Sequence, residues 1–564
     1  MTVAARRSWS RRERVRPAAS FGTSVALCAV LAVALRAPFL GTPLGVDEGG
    51  LAFVAEHWGR HGSSLYGAQW LDRPPLLVLL VRVAVAAGGQ TGVRVLGALA
   101  AVALVVLAAS LAGAIAGARA GTGAAVVCAV LASSIALQAV YTPAELLAAV
   151  PASASVLCLV AALRSGRLAA LVAAGALAVA AALVKQSFLD AGLAGMVFLL
   201  ACVVCRPPPF RSAWVAAWGA GAALPLAAVV LASGLGFVDG GELPYALIGF
   251  RVAALHTLGG AGAPLTTRAM RLAVPALLSG LGLALLLAPA GLRRAGRERV
   301  IAATLVAWLA GGLAGVGGGG VYWAHYLIEI VPVTAVLAGI ALARAPSPVR
   351  VAIAGVAVVL AAGASFGAVD YLADHRPHAV ERAVGRYIHA HARPGDTQYV
   401  LYARANVLYY GALPTPFPYD WSLMMRVQTD ARPALYRLLA SRRRPTWLVP
   451  WQNDDAWRLD RGAAVDTLLR RGYRVAATVA GHEILHRVDT APHGGAVRRG
   501  AAPAIADAGP LSASCTARTT RRGSPSRPPR PRVRCVGPPP SRGARGRRRS
   551  RAAASSRAGR APAR

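Results

Sequence analysis

Two adjacent carboxylates, Asp47 and Glu48, open the polar stretch GTPLGVDEGGLAFVAEHWGRHGSSLYGAQWLDRPP, and Arg73 stands before two prolines at its end. A carboxylate can take a proton from an attacking hydroxyl, and an arginine fork can grip a phosphate or another anion. Further ionisable residues recur between apolar runs: Glu145 in YTPAELLAAVP, the lone lysine Lys185, Arg251 with Tyr245 in GELPYALIGFRVAALH, and His325 in VYWAHYLIEIVP. Each also has a plainer reading. Asp47 can cap a helix, Glu48 can be a solvated acid in a first helical turn, Arg73 can snorkel toward headgroups, and Glu145 can cap the span that follows it. The remaining segments read as interfacial anchors or a long connector.

The elements that must position these groups are membrane spans. Of 564 residues, 55% are hydrophobic and only 15% are charged, with a mean hydropathy of +0.49, which excludes a soluble globule. Runs long enough to cross the hydrocarbon fall at about 21–40, 93–117, 121–140, 146–163, 168–184, 187–205, 213–233, 272–291, 300–317, 326–343 and 351–369. The run 75–88 is too short to cross and is expected to lie on the outer surface. Every second loop then carries arginine (Arg119; Arg164 and Arg167; Arg206 and Arg211; Arg293, Arg294, Arg297 and Arg299; Arg344 and Arg350), which the positive-inside rule places in the cytoplasm. The acidic loops face outward. Arg36 is expected to snorkel from the outer end of the first span, and Glu329 is the main acid within the spans.

The formal net charge of +37 comes largely from two tails, before residue 17 and after residue 490, and implies no nucleic-acid partner. Of seven cysteines only Cys202 and Cys205 form a CxxC, with no second pair, so neither a zinc site nor a disulfide framework is read. The expected organisation is a basic cytoplasmic N-terminus (1–20), a membrane domain (21–370), an extracytoplasmic α/β domain (371–490) and a disordered Arg/Pro-rich tail (491–564). The α/β domain is read from helix-like AVERAVGRYIHAHA and PALYRLLAS, a helix near 460–471, and strand-like TQYVLYA, TWLVPW, YRVAATVA and HEILHR.

The ordered pattern of an acid pair after the first span, an amphipathic helix (Leu51, Val54, Ala55, Trp58), Gly62 to Tyr66, and Arg73-Pro74-Pro75 resembles the GT-C superfamily of membrane glycosyltransferases. The nearest branch holds protein O-mannosyltransferases, lipid A aminoarabinose transferase and the bacterial RgtA/B/C/D-like enzymes. The resemblance implies an α-helical polytopic fold with a small C-terminal extracytoplasmic α/β domain. It also implies transfer of a sugar from a polyprenyl-phosphate donor to an acceptor hydroxyl in an envelope glycan, lipid or protein. Under that implication Asp47 is the base, Glu48 orients the acceptor or holds a divalent metal, and Arg73 replaces the usual lysine on the lipid phosphate. Glu145 stands where the family has a second acid. Lys185, Tyr245, Arg251 and His325 are candidate substrate ligands, with 234–271 as a lid. A lipid or polysaccharide transporter and a non-catalytic envelope-assembly protein are the alternatives; a transporter would carry paired charges within its spans.

Overall fold

The computed structural model describes residues 17–207, 210–260, 265–296, 298–318, 322–452 and 463–488. The basic N-terminus through Arg16, Arg297, residues 460–462 of the expected helix and the 491–564 tail lie outside them. All described residues belong to the compact unit Met1–Ala491.

Among the described residues, seven helices are long and apolar enough to cross a membrane, and a helix pair bent by 83° at residues 279–280 makes an eighth candidate. Three shorter apolar helices, Ala118–Leu131, Leu168–Val184 and Asp190–Cys205, occupy the other expected runs. The polytopic helical class is therefore as expected, while length and composition carry up to eight spans among the described residues.

The first outer segment is built from α1 (Pro17–Arg36), α2 (Val46–His57) and α3 (Pro75–Ala116). Helix α3 joins the expected surface run to the expected second span, but Gly88 and Gly89 leave helical geometry, Gly89 at φ 56°. A Cβ at Gly92 would collide with the carbonyl of Ala84. Eight residues apart in a straight helix, these positions would be about 12 Å apart. The two halves thus fold sharply on each other, and 75–87 is a separate arm.

Helix α4 (Ala118–Leu131) ends early, and the chain from Ala132 to Pro143 is irregular. Backbone carbonyls at such depth need donors. Arg36 supplies them: its guanidinium donates to the carbonyls of Ala132, Ala139 and Tyr141, and the residue is 1% exposed. The expectation of a snorkelling Arg36 is corrected, because three unwound carbonyls compete with the headgroups for its donors.

Helices α5 (Ala144–Ser165), α6 (Leu168–Val184), α7 (Asp190–Cys205), α8 (Ala213–Gly234), α9 (Phe250–Gly260), α10 (Leu265–Leu278), α11 (Leu281–Ala295), α12 (Arg299–Gly318), α13 (Val331–Leu342) and α14 (Ser347–His375) complete the bundle. Beyond α15 (Ala379–His391) lies a four-stranded sheet in the order β1-β2-β4-β3. β1 (Gln398–Val400) runs parallel to β2 (Trp447–Val449), whereas β2 to β4 and the hairpin β3 (Tyr473–Val479) to β4 (His482–Arg487) are antiparallel. Each strand read from the sequence is present. Helices α16 (Asn406–Gly411), α17 (Ser422–Val427), α18 (Ala431–Ala440) and α19 (Ala464–Gly472) accompany the sheet.

This sheet-bearing region packs onto α2. A Cβ at Gly49 would collide with Asn406, and one at Gly50 with Trp421 and Ala405. Asn406 Nδ2 donates to the Leu44 carbonyl at 3.1 Å, and the Leu44 N–H donates to Tyr410 Oη at 2.7 Å. The expected amphipathic surface helix is corrected accordingly. From Glu48 to Ala55 it is buried on every side, because a second layer covers the face assigned to water. Gly49→Ala should cost about 1 to 3 kcal/mol through overpacking. Thermal unfolding of purified protein checks this, and an unchanged midpoint would show that the two layers are not in tight contact.

Candidate active site

The polar segment between α2 and α3 is shaped by Tyr66, which sits at a left-handed φ of 70°, a conformation that a bulky residue adopts only when its surroundings enforce it. Its ring is buried, and its hydroxyl donates to the Arg73 carbonyl at 2.8 Å. The connection after α8 is stitched to the same segment: Leu65 N–H donates to the Phe237 carbonyl, Asp239 N–H to the Leu65 carbonyl, and Trp58 Nε1 to the Phe237 carbonyl at 2.7 Å. The expected lid contains the π-turn Tyr245–Gly249 and α9. Trp70 packs edge-on against Phe250 and Tyr419, at centroid distances of 5.0 and 5.7 Å.

These elements gather charges around Asp72, a residue that the sequence reading passed over. Asp72 is 5% exposed and pairs with Arg73 at 2.6 Å and Arg251 at 2.8 Å. Gln186 Nε2 donates to its carbonyl. Burial raises the Asp72 pKa, but Arg251, then Arg73 and Lys185, outweigh it and hold the carboxyl below its ordinary value. The pairing persists down to a pH under the usual carboxylate range and is lost only as pH falls through the depressed value. Arg73 is lowered by burial and raised further by Asp72, Asp47 and Glu145, ending above its ordinary value. Burial lowers the Lys185 ammonium, Glu145 only partly restores it, and it ends below its usual range.

Lys185 Nζ donates to Glu145 Oε1 at 2.6 Å, and His325 Nε2 lies 3.7 Å from the same oxygen. The other nitrogen of His325 meets Gln138 Oε1 at 2.8 Å. Tyr326, 5.1 Å from Lys185, faces the same charges. Glu145 and Arg73 thus share one electrostatic neighbourhood with Asp47, Lys185, Arg251 and His325. Tyr245 stands apart from the charges: its hydroxyl donates to Gln428 Oε1 at 2.9 Å, tying the π-turn to the end of α17.

The acid pair divides. Asp47 is exposed and accepts from Trp421 Nε1 at 3.1 Å. The helix cap is Gly45, so Asp47 is not the N-cap. Glu48 turns inward: Oε1 accepts from Arg94 Nη1 at 2.6 Å and from Thr142 N–H at 2.7 Å, while Oε2 accepts from Gly45 N–H at 2.8 Å. The assignment of Glu48 to an acceptor or a metal is corrected to an anchor, because both its oxygens are already engaged. Arg94 and Trp421 carried no usable sequence signal. The arginine opens an apolar run, and the tryptophan is more than 370 residues from its partner.

A second acid pair, Asp190 and Glu329, is also buried. The charge of Asp190 acts on Glu329. Trp308 Nε1 donates to Asp190 Oδ2 and Ser187 Oγ to Glu329 Oε2, leaving Asp190 Oδ1 and Glu329 Oε1 without hydrogen-bond partners among the described residues. No group of three or more His, Cys, Asp or Glu side chains converges as a metal site among the described residues. Around Arg73, cations already neutralise Asp72 and Glu145, a donor set that does not fit a divalent ion.

A bundle of apolar helices with a small sheet-bearing layer over an acid- and arginine-lined site has the GT-C fold. ArnT from Cupriavidus metallidurans, in the apo state, aligns over 84% of this chain and 99% of its own at 16% identity, with a TM-score of 0.58. The structure of the same protein bound to undecaprenyl phosphate aligns over the same shares at 16% identity, with a TM-score of 0.57. The Archaeoglobus fulgidus oligosaccharyltransferase AglB, in complex with an inhibitory peptide and a dolichol-phosphate, aligns over 84% of this chain and 75% of its own at 12% identity, with a TM-score of 0.48. No family model and no curated protein matches the sequence.

Proposed function

We propose that the chain is an integral membrane glycosyltransferase that moves a sugar from a polyprenyl-phosphate donor to an acceptor hydroxyl on the extracytoplasmic face. The observation that carries this reading is the convergence of an exposed carboxylate, Asp47, with the cations Arg73, Arg251 and Lys185. In the reaction the acceptor oxygen attacks the anomeric carbon and its proton passes to Asp47. The bond from that carbon to the phosphate oxygen breaks, and the electron pair leaves with the polyprenyl phosphate. Arg73, Arg251 and Lys185 receive that charge in a site shielded from bulk water. Among the described residues Arg251 Nε is buried without a partner and so has a donor to spare. Undecaprenyl phosphate in the ArnT structure of similar fold supports a lipid phosphate as the leaving group. The arginines at the other ends of the helices support an outward-facing site.

The test is sugar transfer from synthetic polyprenyl-phosphate sugars by the purified full-length protein, with mass spectrometry of envelope glycans and lipids from a deletion strain to reveal the acceptor class. Arg251→Gln is expected to raise the half-saturating donor concentration about tenfold, the effect of one charge-assisted contact. An unchanged value would remove Arg251 from the donor site. The buried acids Asp190 and Glu329 are the feature that favours transport instead. Flux of the lipid-linked sugar across proteoliposomes without acceptor would select that reading.

A further inference from the structure

At the end of the bundle away from Asp47, three helix ends leave a cleft of about 630 Å³. It is lined by Leu163 and Arg164 of α5, Val204, Cys205 and Pro207 at the exit of α7, and Glu298, Arg299 and Val300 at the start of α12. Arg164 follows Glu145 along α5 by 19 residues, which at 1.5 Å per residue is about 29 Å. That distance matches the hydrocarbon thickness of a bilayer. If Glu145 stands at one membrane surface, the cleft opens at the headgroup level of the other.

Its chemistry is mixed in a way that suits one kind of ligand. Among the described residues neither the Arg164 nor the Arg299 guanidinium has a hydrogen-bonding or ion-pairing partner, and both side chains are exposed. The N-terminus of α12, twenty residues long, adds its partial positive charge at the same place. The two arginines and Glu298 leave one net positive charge, which a single phosphodiester neutralises. The walls are apolar: Val204 is 74% exposed beside the cleft, and Leu163 is partly buried. Such surface suits acyl chains and would be costly to leave against water. Basic pockets between spanning helices are general sites for anionic headgroups.

We propose that this cleft binds the headgroup of an anionic glycerophospholipid. The phosphodiester lies between Arg164 and Arg299, a headgroup hydroxyl donates to Glu298, and the acyl chains descend past Leu163 and Val204. The bound lipid bridges α5, α7 and α12. The site is separate from that of the proposed donor phosphate.

Cys205 reports on the cleft. It is exposed, whereas Cys28, Cys128 and Cys202 are buried and Cys158 is half-buried. With Cys158, Cys515 and Cys535 changed to serine, maleimide labelling of Cys205 is followed in the full-length protein held in phosphatidylcholine discs, with and without phosphatidylglycerol. Phosphatidylglycerol is expected to slow labelling about tenfold. The protection should disappear in Arg164→Gln/Arg299→Gln, whose exposed side chains leave folding unaffected. Native mass spectrometry should show phosphatidylglycerol retained by the parent and lost by the double variant. Equal labelling in both lipids, or protection that survives the double substitution, overturns the proposal. Equal protection by inorganic phosphate in discs of phosphatidylcholine alone would do so too, by assigning the cleft to a free anion.

Discussion

Asp47→Asn is expected to lower the rate of sugar transfer by 10² to 10⁴-fold, the range that a positioned general base contributes, while leaving the protein folded. The substitution keeps the side-chain shape and an oxygen that still accepts from Trp421 Nε1, so what is removed is the capacity to take a proton. Neighbouring groups argue against a compensating base. Glu48 has both oxygens engaged, Asp72 is held between two arginines, and Glu145 is held by Lys185. The measurement is single-turnover transfer with saturating donor, alongside a melting curve. Activity within about threefold of the parent would take Asp47 out of the mechanism. Trp421→Phe provides a companion: it removes one hydrogen bond that orients the carboxylate and should produce a smaller loss in turnover than Asp47→Asn.

Arg94→Met is expected to be the most damaging single change to the fold. Arg94 and Glu48 are 1% and 6% exposed, and their 2.6 Å ion pair lies between α2 and α3. Removing the cation leaves a buried carboxylate short of its counter-charge, which costs about 3 to 5 kcal/mol. It also strips the Pro43 carbonyl of its donor and the Tyr141 ring of its cation. Adding Glu48→Met to Arg94→Met should recover part of the loss, because two apolar partners need no compensation. The check is unfolding of both variants in the same detergent. A single variant as stable as the parent would show that the pair does not hold the first polar segment in place.

Much of the molecule was legible because membranes and sheets write themselves in local patterns. A hydrocarbon slab demands long apolar runs, and each of the eleven that were read overlaps a helix, the run at 121–140 unwinding after Leu131. The short run 75–88 was separable from its neighbour by length alone, and a glycine pair makes the break. Alternation and turn residues placed all four strands. Counting loops put Arg73, Lys185, Arg251, Glu145 and His325 on one expected side, the resemblance marked Arg73 and Glu145, and the structure gathers those five around one another. What counting did not supply was partner choice. Asp47 and Glu48 are chemically alike and adjacent, yet successive residues of a helix point about 100° apart. One therefore faces Trp421 and the other Arg94, 46 residues away. Asp72 read as part of a loop until folding placed two cations against it, and Arg36 read as a headgroup anchor until the unwinding after α4 exposed carbonyls to it. The sequence by itself determined where the apolar runs and most of the regular structure lie, since these depend on near neighbours in the chain. Which carboxylate is free for chemistry was decided by tertiary contacts, since ion pairs and burial join residues that the sequence keeps far apart.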